Sequence, residues 1–367
     1  MSAGTDVLTG RALGRATLAR QMLLARQKVT PLQAVERLAG LQAQLARPPF
    51  IALWSRLLRF APEALVRLAR DRKVVRATMM RGTLHLVTTE DYLAFRPVLQ
   101  PMLSAGMAAV LKDRARDLDL EKLAAAARTC VDEQPRTFED IRAVLHAAWP
   151  KVDERAMGYA VRMHLPLVQV PADTRWGWPG AACFAAAESW IGRPLAAEGK
   201  LEALILRYLA AFGPASVADA QTWSGLRGLK DTFQALRPRL RTFGDERGRE
   251  LFDLPRAPRP PADTPAPVRF LPDFDALLLG YQDRARVLRP EHGARVTTAN
   301  LRVQPTFLVD GLVGGTWRVE RTKSKAVLLV EPFLPVPKTA RAELVAEGTA
   351  LLRFMESDAT ATAVTIG

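Results

Sequence analysis

The chain has 367 residues, 49% of them hydrophobic, which is enough for two or three domains with cores of their own. Its 52 Lys and Arg against 38 Asp and Glu give a net charge of +14, and such an excess on a folded protein points to a polyanionic partner. Two distant cysteines, Cys130 and Cys183, exclude a disulfide framework and a thiolate zinc site, and no window is long and apolar enough to span a bilayer, so a cytoplasmic location is expected.

In chain order, Leu13, Leu18, Met22 and Leu23 recur at near-helical spacing. Thr30-Pro31 then supplies a cap and a first-turn proline for a helix expected to run from Pro31 to about Gln44 and to end before Pro48-Pro49. A further helix, Pro62 to Arg70, leads into strand-like runs at 74–79 and 81–87 turning near Arg81-Gly82. Helices followed by a hairpin describe a winged helix.

The same order returns twice. Helices are expected at 123–130, 141–149 and 153–163, with a wing of 167–170 and Arg175 to Trp178. They follow again at 201–212, 217–223 and 229–236, with a wing at 240–254 around Asp245 to Gly248. Six prolines between Pro255 and Pro267 make an extended linker, and strands at 306–309, 315–319 and 326–330 with a helix near 340–354 close the chain. The expected fold is α+β and predominantly helical, with three tandem winged-helix units around a concave DNA-binding face and a β-rich C-terminal segment. The boundaries are 1–118, 119–198, 199–255 and 256–367.

Common chemistries find no footing. The four histidines, His85, His146, His164 and His292, have no second ligand at metal spacing, so no metal or other cofactor is expected. There is neither a Gly-x-Ser-x-Gly elbow nor a phosphate loop. The unusual feature is Gln42-Ala43-Gln44, two carboxamides at the end of the expected helix. On a regular helix they diverge by about 200 degrees, so they converge only where the helix ends. Taken as pattern alone, the pair also reads as solvated side chains or a C-terminal cap.

The stretch 39–44, then Pro49 to Leu57 with Leu53-Trp54, then Met80 to Val87, Asp91-Tyr92, Leu271 to Leu279 and Gly311 to Arg318 resembles the winged-helix DNA glycosylases of the AlkZ and YcaQ group. That resemblance covers nearly the whole chain and is closer to the AlkZ branch, whose Gln-x-Gln element falls on Gln42 and Gln44. It implies excision of bulky or crosslinked alkylpurines from double-stranded DNA, in repair or in self-resistance to a DNA-alkylating natural product, by a monofunctional enzyme expected to be monomeric. Alkylation at purine N7 or N3 already charges the leaving base, so no general acid is required. What remains is to steady oxocarbenium character and deliver water, which amide dipoles can do.

Candidate DNA contacts are Arg81 and Thr83 on the first wing, Arg237 and Arg239 in the third unit, and Arg284, Arg286, Arg295, Arg318, Arg321 and Lys323 near the C-terminus. Residues 287–298 could form a hairpin turning at Gly293, while His85 reads as a structural histidine and Asp273 and Asp275 as turn residues. The rival reading is a winged-helix transcriptional regulator, distinguished by selectivity for an operator.

Overall fold

The computed structural model describes residues 6–116 and 118–367. A short strand, β1 (Val7–Leu8), precedes helix α1 (Gly10–Arg20), capped by the Thr9 side chain. Helix α2 (Pro31–Arg37) opens with a capping box in which Thr30 and Gln33 satisfy each other's backbone N–H groups. It stops well short of the expected end. Ala39 and Gly40 take left-handed φ values of 55° and 89°, and a Cβ on Gly40 would lie 2.7 Å from Val87, so glycine is required there.

The chain then runs extended as β2 (Leu41–Gln42), and Pro48-Pro49 start helix α3 (Pro48–Arg56) instead of ending its predecessor. Helix α4 (Pro62–Arg70), the wing strands β3 (Val74–Thr78) and β4 (Leu84–Thr88) and the long α5 (Thr89–Leu111) complete the first part.

The second part runs α6 (Leu120–Glu133), β5 (Arg136–Thr137), α7 (Phe138–Ala148), α8 (Glu154–His164), β6 (Leu167–Gln169), β7 (Cys183–Ala186) and α9 (Ala187–Ile191). The wing expected at Arg175 to Trp178 is a loop. Its two tryptophans point into the first part, where Trp178 is buried against the Gln169 carbonyl and Trp176 meets Phe50 edge-on at 5.1 Å.

In the third part α10 (Leu201–Phe212) leads through a bridge at Ala215 into α11 (Val217–Ser224), α12 (Lys230–Leu236), β8 (Arg241–Asp245) and β9 (Glu250–Asp253). Helix, short strand, helix, helix, hairpin thus recurs three times, each time with the short strand paired to the hairpin's second strand. Capping boxes at Thr137/Asp140 and Ser216/Asp219 start the second helix in the latter two repeats.

The parts are stitched together through sheets. β3 pairs antiparallel with β6, joining the first two wings into one six-stranded sheet of order β2-β4-β3-β6-β7-β5, and β1 lies parallel on β8. At the C-terminus β10 (Arg269–Leu271) is followed by a one-turn helix, α13 (Gly293–Val296), where a hairpin was expected; Pro290 starts the turn and Val287, Leu288 and Val296 are buried. With β10, the strands β11 (Thr306–Val309), β12 (Leu312–Arg321), β13 (Lys325–Pro332) and β14 (Ala361–Ile366) form a five-stranded sheet covered by helix α14 (Lys338–Met355), with α3 contributing Ile51 to its core. No helix among the described residues is long and apolar enough to cross a membrane.

Two arginines fasten this sheet and the linker to the helices. Arg20 donates to both Asp253 oxygens at 2.7 and 2.8 Å, and Arg56 to both Asp275 oxygens at 2.9 and 2.7 Å, with neither pair reaching solvent. Asp275 therefore holds a turn, as expected, by capping Leu277 and neutralising Arg56. Replacing Asp275 with Asn leaves a buried guanidinium without a counter-charge, and a destabilisation of about 3–5 kcal/mol is expected in urea unfolding.

Candidate active site

Gln42 lies on an edge strand and Gln44 in the bend just past its end, not at a helix tip. The sequence Leu41-Gln42-Ala43-Gln44 alternates apolar and polar residues, and on an extended chain that period places Leu41 and Ala43 in the core beneath and the glutamines on the other side. β2 pairs with β4, setting Gln42 opposite His85, and Ala43 N–H donates to the Leu84 carbonyl at 2.7 Å. Beyond that point the backbone bends away. The Gln44 side chain takes over the ladder, its Oε1 accepting from Leu84 N–H at 2.9 Å.

Gln42 is 8% exposed, and its Oε1 accepts from Arg81 Nη2 at 2.7 Å. Arg81 occupies the left-handed turn between β3 and β4, with φ 57°, and its other terminal nitrogen donates to the carbonyl of Trp223 at the C-terminal end of α11. A cation there meets the negative end of the helix. Gly225 ends α11 at φ 82°, and a Cβ on it would lie 3.2 Å from the Arg81 Cα, so the helix end and the turn fit only with glycine. Burial lowers the Arg81 pKa to about 10, which leaves it charged at neutral pH.

His85 is buried beneath this turn. Its Nδ1 faces the Thr83 carbonyl at 3.0 Å, which makes Nδ1 the protonated nitrogen and leaves Nε2 bare, 3.5 Å from Arg81 Nη2. Burial first, then the Arg81 charge, push its pKa down to about 3, so it stays neutral. Thr83 donates its hydroxyl to the Met80 carbonyl at 3.1 Å.

On the far side of β2, Arg76 Nε donates to the Ala43 carbonyl at 2.8 Å and Nη2 to the Gln44 carbonyl at 3.3 Å, fixing the backbone that carries the pair. Gln44 is exposed and forms one wall of a cleft of about 320 Å³, which Arg76, Arg162, Gln169 and the start of α7 also line. Sequence reading missed Arg76 and Gln169. Arg76 was nonetheless legible as a charged residue at an inward position of an otherwise apolar strand.

The basic candidates separate by burial. Arg286 is inside the protein, stacked on Tyr281 at 4.1 Å and donating to the Pro214 carbonyl at 2.8 Å, which corrects its expected place on a DNA face. Arg81 is likewise turned inward to Gln42 and Trp223. Arg237, Arg239, Arg318 and Arg321 are on the surface in ion pairs with Glu250, Glu202, Glu331 and Asp358. Such exposed pairs hold by roughly 0–1 kcal/mol and yield readily to a phosphate. Arg284 bonds Thr297, Arg295 lies over Phe333 and Lys323 is exposed.

The family model described as DNA glycosylase AlkZ-like matches residues 35–354, a span that runs through all three helix-and-hairpin repeats. The chain belongs to that family of DNA glycosylases. It is 27% identical over 360 residues to the interstrand DNA cross-link repair glycosylase of Streptomyces sahachiroi, covering 88% of this chain and 89% of the relative. The solved structure of the Streptomyces sahachiroi DNA glycosylase AlkZ superposes with a TM-score of 0.78 at 21% identity, covering 98% of this chain and all of the other.

The depressed histidine has a measurable consequence. Below pH 6.5 an unfolded His85 binds a proton that the folded one refuses, so folding stability is full above 6.5 and falls as pH drops toward 3. His164, also depressed by burial, acts in the same direction. The expected result is that stability measured between pH 6.5 and 5 declines less steeply in His85→Gln than in the wild type.

Proposed function

We propose that this glycosylase hydrolyses the N-glycosidic bond of cationic alkylpurines of the 7-alkylguanine type in duplex DNA, with Gln42 and Gln44 as its catalytic pair. The observation that carries the reading is that both carboxamide oxygens are pinned by donors from one wing, Arg81 and Leu84, so that the two amides stand preorganised against the same hairpin. Preorganised dipoles need not reorient as charge develops on the sugar.

The two amides differ in electronics. Gln44 Oε1 accepts from a neutral backbone N–H and keeps a second lone pair, so it is the better acceptor and is assigned to orient the attacking water and face the oxocarbenium-like sugar. Gln42 Oε1 is drawn on by a guanidinium, which sharpens its Nε2–H groups as donors toward sugar or phosphate oxygens. Neither amide has to deliver a proton to the leaving base, because the base is already cationic and becomes neutral as the bond breaks.

The same inventory supports reading the enzyme as monofunctional. The residues lining the cleft and bonding the two amides include no lysine, so an amine for a Schiff-base lyase step is lacking there among the described residues. The relative's name speaks of interstrand cross-links, and an exposed glutamine beside an open cleft suits a nucleotide tethered to the opposite strand better than a closed base-flipping pocket does. We extend crosslinked and bulky lesions to this chain on that basis, together with a role in repair or self-resistance. The working form is taken to be a cytoplasmic monomer acting on nucleoid DNA.

Gln42→Ala and Gln44→Ala should bind duplex DNA as the wild type does. Each should release 7-alkylguanine about 100-fold or more slowly in single-turnover assays, the scale of losing one preorganised transition-state contact. Undiminished release by both variants would rule the pair out as catalysts.

A further inference from the structure

The buried cation behind the Gln42–Gln44 strand has no carboxylate. Arg20 and Arg56 are each matched by a bidentate aspartate. Arg76, 5% exposed, has instead two main-chain carbonyls and the ring of Trp178 at 5.7 Å, with no ion pair among the described residues. Burial lowers its pKa only to about 10, so the charge persists at neutral pH. An uncompensated guanidinium next to an open cleft is a place where an anion gains much.

Its surroundings carry the same bias. Gln169 sits directly across from Arg76 in the β3–β6 pairing; it is 8% exposed, lines the cleft, and its side-chain N–H groups, the only donors it can offer an anion, make no hydrogen bond among the described residues. Arg162 lies over Phe138 at 4.4 Å, is exposed, and is in no ion pair among the described residues. The capping box of α7 satisfies Asp140 N–H, while the first-turn residues Phe138 and Glu139 line the cleft at the positive end of an 11-residue helix. Glu139 is the sole acid among its lining residues. A second hollow sharing Phe138 and Arg162 continues past Arg142 and Arg155, with no acid in its lining. A phosphodiester is attracted to such a lining.

We propose that this cleft is a phosphate subsite: a backbone phosphodiester of the bound DNA is held by Arg76, Arg162 and Gln169 and through Arg76 fixes the strand that carries Gln42 and Gln44. Because Arg76 grips the Ala43 and Gln44 carbonyls, an anion seated on its free nitrogen orders the guanidinium and the strand together. Arg76 is thus a positioning residue, and Arg162 a binding one. The inference rests on the family's action on DNA and on the catalytic pair proposed above only for its second half.

The binding test uses the full chain and an uncleavable duplex containing a tetrahydrofuran abasic analogue, with methylphosphonate replacing one phosphate at a time. Wild-type affinity should fall about tenfold at one position near the analogue, and Arg162→Gln, an exposed substitution that leaves the core intact, should show under a twofold loss at that same position. The slope of log K against log salt should also be shallower in Arg162→Gln by about 0.9, one phosphate's worth. Equal methylphosphonate losses in both proteins, or an unchanged salt slope, would overturn the subsite. For positioning, wild-type single-turnover excision at saturating enzyme should slow at least tenfold on a lesion duplex neutralised at that phosphate. An unchanged rate would overturn the positioning half, whereas a protein that excises nothing from any lesion duplex would sink the catalytic proposal and leave the binding result standing.

Discussion

Arg81 connects two surfaces separated by 142 residues of chain, from a turn that most side chains avoid. One terminal nitrogen donates to the carboxamide oxygen of Gln42 and the other to the Trp223 carbonyl at the end of α11, so the first wing and the third repeat share a single guanidinium. Remove that charge and Gln42 loses its orientation while a helix end loses its counter-charge. The left-handed conformations at Arg81, Gly82 and Gly225 make room for it, and His85 stays neutral beneath because burial first, and then the Arg81 charge, disfavour its cation.

Around that contact the strand that carries the proposed catalytic pair is held from both sides. Arg81 and Leu84 fix the glutamine side chains, and Arg76 fixes the backbone through the Ala43 and Gln44 carbonyls. The continuous sheet explains how this is sustained: β3 carries Arg76 and pairs on one side with β4, which faces Gln42, and on the other with β6, which carries Gln169. Wings that elsewhere serve to touch DNA serve here as a platform for the strand. Sites built on strands are more exactly placed than sites built on loops, which suits chemistry done by dipoles.

The cationic excess divides into three physical populations. Arg20 and Arg56 are interior fasteners with aspartates of their own, Arg286 is an interior fastener stacked on tyrosine, and the surface arginines of the third repeat and the C-terminal sheet stand in weak exposed pairs. Net charge alone cannot distinguish them, since a guanidinium contributes the same unit whether it faces phosphate, carboxylate or a ring.

Much was legible in the residues themselves. The repeated helix and hairpin order, the caps at Thr30, Thr137 and Ser216, the proline-rich linker and the C-terminal strands all follow from local chemistry that acts over a few residues, and Gln42 and Gln44 stood out as polar pairs in apolar company. The helix expected through Gln44 failed because the three-to-four spacing of leucines overlapped a true period of two, and the punctuation at Gly40 decides between them only once Val87 packs against it. The inward turn of Arg81, the burial of Arg286, the plugging tryptophans and the clamp by Arg76 depend on partners at Trp223, Pro214, Phe50 and Ala43, all distant in sequence. Local pattern reports what a residue prefers; which preference is met is decided by the groups that tertiary packing brings alongside it.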